Sequence, residues 1–391
     1  MDVIGARSDL GFKQNSVCVK SNARPMTRCT SSRRAVMMIA VTMIVTVTFA
    51  TLFPPAHCAA VEPNRSAGRS PMTPVRVAAP ADPRAVLGDQ ACVKCHTGEV
   101  RVWRDTPHAK TFKTLHRSRE AAAIARRLGL RSIKHEGRCA SCHYTSQSKG
   151  RSAAAAMGPH DVIAGVSCES CHGAARDWLD IHHDYGGEGV TRWTESPSHR
   201  ADRIARSVAA GMRNPHNVFA MAQACLRCHT TGDETLVNVG GHTAGSLNFE
   251  MVSWSQGSVR HNFARDPDGR NAVESPERMR VMFVAGLIAE FEAGLRATAA
   301  ATRKDTFGMT VAQRTQRSAK RMQNLNRIVS SPHLREVLEI WDAKELRLNN
   351  REPLLRAADR IAEIGYRFAE ETNGESLAAL DPYIPGRDSY K

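Results

Sequence analysis

The 391-residue sequence has few of the residues that build a conventional hydrophobic core. Aromatic residues make up only 5% of the chain, and its middle is poor in long apolar runs. Beyond residue 60, cysteine occurs only inside one repeated pentapeptide, so no other thiol is available for a disulfide or a nucleophile. The chain also has no basic helix interleaved with an aromatic platform, which excludes nucleic acid as an expected partner. These absences leave the middle of the chain without an evident core.

The repeated pentapeptide is Cys-x-x-Cys-His, the attachment sequence of c-type haem. Its two thiols form thioether bonds to the haem vinyl groups. The first Cys and the His are four residues apart, so they lie on one face of a helical turn and the imidazole can coordinate the iron. The four copies are Cys92-Val-Lys-Cys95-His96, Cys139-Ala-Ser-Cys142-His143, Cys168-Glu-Ser-Cys171-His172 and Cys225-Leu-Arg-Cys228-His229.

Disulfides, redox dithiols and half zinc sites also use Cys-x-x-Cys. Each could account for one copy, but none requires His directly after the second Cys in all four. We therefore predict four covalently bound c-type haems, attached through the eight motif cysteines. Because porphyrins supply apolar surface, the expected fold is mainly α with much irregular structure, organised by the haems and followed by a C-terminal helical extension.

The N-terminal 60 residues have the order of a secretory signal. Arginines such as Arg33 and Arg34 precede Ala35 to Phe53, nineteen residues without a charge, and small residues follow. This order predicts a cleaved signal peptide, with an uncleaved membrane anchor as the alternative. Either way the body of the protein is expected in the periplasm. Residues 61–86, rich in Pro, Ala, Arg and Ser, read as a linker, 87–270 as the tetrahaem domain and 271–391 as the helical C-terminal region.

Further histidines are candidates for the sixth ligand of each iron. Thr106 and Pro107 predict a helix start, which places His108 on one face with Phe112 and Leu115. We favour His108 as a distal haem ligand over a packed core histidine. His182 and His183 follow His172 by ten and eleven residues. Adjacent histidines usually cannot both face one iron, so one of this pair is expected to be a ligand.

His160, before the third motif, and His216, before the fourth, complete the set of predicted metal ligands. His242 and His261 follow the fourth motif, and the sequence around them favours neither a ligand nor a core role.

These motifs resemble those of the tetrahaem cytochrome c-554 family over roughly residues 89 to 245. The resemblance is carried by Trp103, the Pro-His-Ala at 107–109 and the Gly-Val-x-Cys-Glu-x-Cys-His-Gly at 165–173. Members of that family carry electrons from hydroxylamine oxidation, and the wider group includes hydroxylamine oxidoreductases, nitrite reductases and octahaem tetrathionate reductases. The resemblance implies three haems with two His ligands and one five-coordinate haem. It matches His108, His182 or His183, and His216 to ligand positions.

The C-terminal region is expected to form three or four helices that pack on the haem unit or pair with a second subunit. Ser275-Pro276 reads as a cap and first residue, Ser331-Pro332 starts a second helix, and Pro353 starts a third that ends near Gly374. The formal net charge is +15, of which +10 falls after residue 60. A basic surface suits an acidic redox partner, such as a quinol-linked or soluble cytochrome or an oxidoreductase.

Two functions follow from this pattern. The first is a periplasmic tetrahaem cytochrome that carries electrons in respiratory metabolism of nitrogen or sulfur compounds, with two His ligands keeping each iron unreactive. The alternative is a multihaem oxidoreductase acting on a small nitrogen or sulfur oxide at a five-coordinate haem. The histidines are numerous enough to close every site, so the sequence leaves both functions open, and the family resemblance favours the carrier.

Overall fold

The computed structural model describes residues 79–134, 136–148, 161–261, 271–342 and 346–391. The predicted signal or anchor, most of the predicted linker and His160 lie outside these residues. Of the residues described, none forms a helix long and apolar enough to cross a membrane. From residue 79 onward the described chain falls in one compact unit.

The first part of the described chain, through residue 261, is built from short helices joined by irregular segments. Thr106 caps the third helix by accepting a hydrogen bond from Ala109 N, with Pro107 at the first helical position, as predicted from the sequence. Ser118 caps the next helix in the same way. The helices are α1 Gln90–Val93, α2 Thr97–Asp105, α3 Pro107–Thr114, α4 Arg119–Arg127, α5 Gly137–His143, α6 Cys168–His172, α7 Pro197–Ala209, α8 Val218–His229, α9 Glu234–Asn238 and α10 Met251–Ser255.

A two-stranded antiparallel sheet lies between α5 and α6. Strand β1, Thr145–Gln147, pairs with β2, Asp161–Ala164, and the register changes between Thr145 and Ser146. The Thr145 hydroxyl donates to the Gly165 carbonyl at 2.8 Å and lies 2.9 Å from the Ser167 and Ser170 hydroxyls. The sheet thereby ties the second motif, at the end of α5, to the start of α6 and the third motif.

Four longer helices follow residue 271. They are α11 Pro276–Ala299, α12 Thr306–Val329, α13 Pro332–Asp342 and α14 Arg351–Glu371. The starts predicted at Pro276 and Pro332 are confirmed, and Ser275 caps α11 through Arg278 N. The last helix begins at Arg351, so Pro353 lies inside its first turn, where proline is tolerated.

The main hydrophobic core lies among these four helices and α8. It runs from Val218 to Leu380 and so crosses the predicted boundary at residue 270. Helix α11 is its centre, with side chains such as Val284, Ile288 and Phe291 fully buried, and it packs against α8, α12 and α14. The C-terminal helices therefore support α8, which carries the fourth motif.

Helices α8 and α14 approach so closely that one contact requires glycine. A Cβ atom at Gly365 would lie 2.2 Å from the ring of Phe219, a fully buried residue of α8. The neighbouring Tyr366 packs on Phe219 with ring centroids 5.1 Å apart and donates to Gln223 Oε1 at 2.9 Å. This contact fixes α8 against the C-terminal helices.

Replacing Gly365 by Ala is expected to force Phe219 out of its position and to lower the free energy of unfolding by about 1–3 kcal/mol. Denaturant titration followed by circular dichroism measures the change. Gly386→Ala is the control, because a Cβ there would meet no atom within 4 Å. Equal stability of the two variants would contradict the close packing of α8 on α14.

Candidate cofactor-binding site

All four Cys-x-x-Cys-His motifs lie on helical turns. The second and third motifs end α5 and α6, and the fourth ends α8. In the first motif the His96 amide donates to the Cys92 carbonyl at 3.0 Å, which makes the turn between α1 and α2. All eight motif cysteines are free thiols. Each turn therefore presents two thiols and one imidazole, as the spacing predicts.

Each motif histidine faces the imidazole of a second histidine from another part of the chain. The ring centroids are 6.1 to 6.3 Å apart in all four cases. The pairs are His96 with His182 at 6.3 Å, His108 with His229 at 6.2 Å, His143 with His242 at 6.1 Å, and His172 with His261 at 6.3 Å.

This separation has the size expected for one metal atom between two imidazoles. Metal–imidazole bonds of about 2.0–2.1 Å on each side, plus the distance from each nitrogen to its ring centre, add up to about 6 Å. Direct stacking of two rings also falls within 4.5–7 Å, but it does not explain four nearly equal separations. The residues present fit a bis-imidazole iron site at each motif.

Hydrogen bonds at Nδ1 orient several of these rings. His229 Nδ1 lies 2.9 Å from the Ser246 hydroxyl, and His242 Nδ1 lies 2.7 Å from the Thr243 carbonyl. His182 and His261 make the same kind of contact with the Leu179 and Val259 carbonyls. A ring that donates from Nδ1 to a carbonyl keeps the Nε2 lone pair available for a metal.

Desolvation favours the neutral form of five of these rings. It lowers the pKa of His172 to about 4, and it also lowers the pKa of His229 to about 4. The pKa values of His108, His143 and His182 are lowered for the same reason. Neutral imidazole is the form that binds a metal.

The motifs also approach one another through their thiols. Cys168 hydrogen bonds to Cys92, which lowers the pKa of Cys92 and raises that of Cys168. Cys228 hydrogen bonds to Cys142 and lowers the pKa of Cys142 to about 6. The first motif therefore lies near the third. The second lies near the fourth, where Arg227 Nη1 also donates to the Ser141 carbonyl at 2.7 Å.

The structure places the predicted distal histidines in three ways. His108 and His182 face motif histidines, although His108 faces His229 rather than the nearby His96. His183 and His216 are exposed and lie outside the four pairs. His160 is outside the described residues.

The other two facing histidines are His242 and His261, whose roles the sequence left open. They follow the last motif, and their partners, His143 and His172, precede them by about a hundred residues. No local spacing signal links such distant residues. The signal that could have pointed to them is that two histidines without an assigned role follow the last motif.

Several residues of the family-like motifs have structural roles. Glu169 accepts hydrogen bonds from the amides of Leu87, Gly88 and Ala175, at 2.8 to 2.9 Å, and so fixes α6 to the chain on either side. The Trp103 indole donates to the Val166 carbonyl at 2.8 Å. A Cβ at Gly165 would lie 2.3 Å from the His108 carbonyl, so only glycine allows this approach.

An ion pair supports the segment that carries His182. Arg203 of α7 donates to the His182 carbonyl at 2.6 Å, and it binds Glu195 through Nε at 2.7 Å and Nη2 at 2.6 Å. His199 Nδ1 lies 2.7 Å from the same carboxylate. The hydrogen bond from Arg203 to Glu195 lowers the pKa of Glu195 to about 2. Glu195 thereby holds Arg203 in place behind His182.

Comparison with known proteins agrees with the motif pattern. Residues 91–173 match the family described as cytochrome c554 and c-prime. Cytochrome c-554 of Nitrosomonas europaea is 29% identical over 101 residues, which cover 25% of this chain and 43% of that protein. The match thus spans less than half of the relative's length. No solved structure matches the chain significantly. The resemblance to the cytochrome c-554 family is confirmed, and it rests on the first three motifs.

Glu195 is expected to make stability depend on pH between about 4.5 and 2. Because folding lowers the pKa of Glu195, its contribution is complete above the unfolded value of 4.5 and is lost as pH falls to about 2. Glu195→Gln should be less stable than the wild type at pH 7, and the difference should shrink toward pH 2. Urea midpoints at pH 7, 4 and 2.5 measure this.

The control is Glu188→Gln, which removes the same charge at an exposed position in the same loop. It should stay as stable as the wild type at each pH. A difference between Glu195→Gln and the wild type that stays constant over this range would contradict a stabilising role for the ionised Glu195 carboxylate.

Proposed function

We propose that this chain, whose residues 91–173 are related to the cytochrome c-554 family, is a tetrahaem c-type cytochrome that carries electrons between redox proteins. The observation that supports this function is the set of four imidazole pairs at 6.1 to 6.3 Å. Each pair contains one histidine of a Cys-x-x-Cys-His motif. The proposal assigns one covalently bound haem to each motif.

In this proposal the motif cysteines anchor the cofactor, and the paired histidines hold the iron from both sides. His96, His143, His172 and His229 would each supply one imidazole to an iron, and His182, His242, His261 and His108 respectively would supply the second. Haem held in this way supplies a one-electron couple whose potential depends on the axial ligands, burial and nearby charges. The chain fixes the rings through the Nδ1 contacts described above.

The four pairs favour electron transfer over catalysis. A haem enzyme needs an axial position that substrate can occupy. Here each of the four motif histidines faces a second imidazole, so each site has two protein ligands available. The resemblance implies one five-coordinate haem. This proposal differs from that expectation, because it assigns two histidine ligands to each of the four haems.

The proposal places the protein in the periplasm, since Ala35 to Phe53 have the pattern of an export signal. Its partners would be redox proteins. Helix α12 carries five Arg or Lys residues and no Asp or Glu, and Arg317, Lys320 and Arg327 on it are exposed. A basic surface of this kind favours an acidic partner by electrostatic steering.

Cofactor content is the first test. The protein purified from a host that matures c-type cytochromes should have the mass of the polypeptide plus four haems, with all haem retained after acid denaturation. Intact mass spectrometry and pyridine haemochrome absorbance measure this. Cys225→Ala/Cys228→Ala should retain three haems, and an unchanged haem content in that variant would remove the fourth site from the proposal.

Ligation is the second test. Replacing His242 by Ala should remove the distal ligand of the haem at Cys139 and Cys142, so that one haem becomes high-spin and binds carbon monoxide when reduced. Electronic absorption spectra measure both effects. The control is His216→Ala, since His216 is exposed and lies outside the four pairs. Identical spectra for the His242→Ala variant and the wild type would contradict the assignment of His242.

A further inference from the structure

Arg314 of α12 is a buried cation that the four imidazole pairs leave unexplained. It is fully buried, at 0% exposed surface. Its Nη1 donates to the His229 carbonyl at 3.0 Å, so the guanidinium lies against the peptide of the fourth motif. Helix α12 thus brings a positive charge to this site from a part of the chain outside the family match.

Two donors of this guanidinium have no hydrogen-bond acceptor among the described residues. They are Nε and Nη2. Glu290 Oε1 forms an ion pair with Nε at 3.4 Å, and Glu290 Oε2 accepts a hydrogen bond from Arg321 Nη1 at 2.9 Å. A buried donor without an acceptor is costly, and more so when the group is charged. Burial lowers the pKa of Arg314, and the carboxylate of Glu290 partly opposes this shift.

The positions of the two donors indicate what they bind. Nε and Nη2 lie on one edge of the guanidinium and point in nearly parallel directions, which is the arrangement that binds a carboxylate through both oxygens. Glu290 is shared with Arg321, so it gives Nε an ion pair but no hydrogen bond and leaves Nη2 without an acceptor. A second carboxylate at this edge would supply the acceptors that both donors lack.

We propose that Arg314 binds a propionate carboxylate of the haem attached at Cys225 and Cys228. This inference rests on the proposed function, because it requires a haem at the fourth motif. Contact with the His229 carbonyl places Arg314 next to that motif. A propionate would complete the hydrogen bonds of the Nε and Nη2 edge and offset the buried positive charge.

The redox consequence follows from charge. A cation near a haem favours the reduced iron, which carries one positive charge fewer, and a propionate without its partner favours the oxidised iron. Loss of Arg314 should therefore lower the midpoint potential of one haem. The other three potentials should remain unchanged, since Arg314 contacts the fourth motif.

Redox titration of the full-length, haem-loaded protein tests this proposal. Intact mass first establishes that each variant carries four haems. Arg314→Gln is expected to shift one of the four midpoint potentials to a more negative value. Arg314→Lys keeps the charge but not the two-donor edge, so it should shift the same haem by a smaller amount. Arg321→Gln is the control, because it removes a partner of Glu290 that does not contact His229.

The outcomes separate a redox role from packing alone. If Arg314 only pairs with Glu290, both Arg314 variants will lose stability while all four potentials keep their wild-type values, and the proposal is overturned. If Arg314→Gln does not accumulate with four haems, the Arg314→Lys titration decides, and wild-type potentials in that variant overturn it. A wild-type protein with fewer than four haems would instead contradict the proposed function.

Discussion

The separation of about 6 Å between paired imidazoles is the constraint on which the first part of this structure depends. Each pair joins residues far apart in sequence, from 86 positions for His96 and His182 to 121 for His108 and His229. Before α8, the described chain has one small hydrophobic cluster, around Ala125, Ile133 and Tyr144. With so little apolar side-chain surface there, the path of the chain from α1 to α7 is set chiefly by which imidazoles meet.

The C-terminal helices supply the conventional core that the first part lacks. They pack against α8, the helix that carries the fourth motif. The contact between Gly365 and Phe219 shows how closely α8 and α14 fit. Helix α12 adds a second connection through Arg314 and the His229 carbonyl. The helices therefore do more than extend the chain: they fix one motif and bring a buried cation to it.

The sequence predicts those features that depend on neighbouring residues. The four motifs, the Thr106 cap and the start of α11 at Pro276 are local patterns, and the structure contains each of them. The distal histidines depend on which distant segments meet. Local spacing therefore placed His108 and His182 among the candidates, but it also favoured His183 and His216 over His242 and His261. The burial of Arg314 could not be predicted from the sequence either. Its helix contains five basic residues, a composition typical of a solvent-exposed helix, although Arg314 is fully buried.

Low-temperature electron paramagnetic resonance of the fully oxidised protein would show whether every motif has two imidazole ligands. Two imidazoles on every iron would make all four ferric haems low-spin, so we expect low-spin signals that integrate to four haems per chain. A high-spin ferric signal of one haem per chain in the unmodified protein would contradict this expectation. Such a signal would mean that at least one of the four imidazole pairs does not hold an iron, and that the site is open for chemistry.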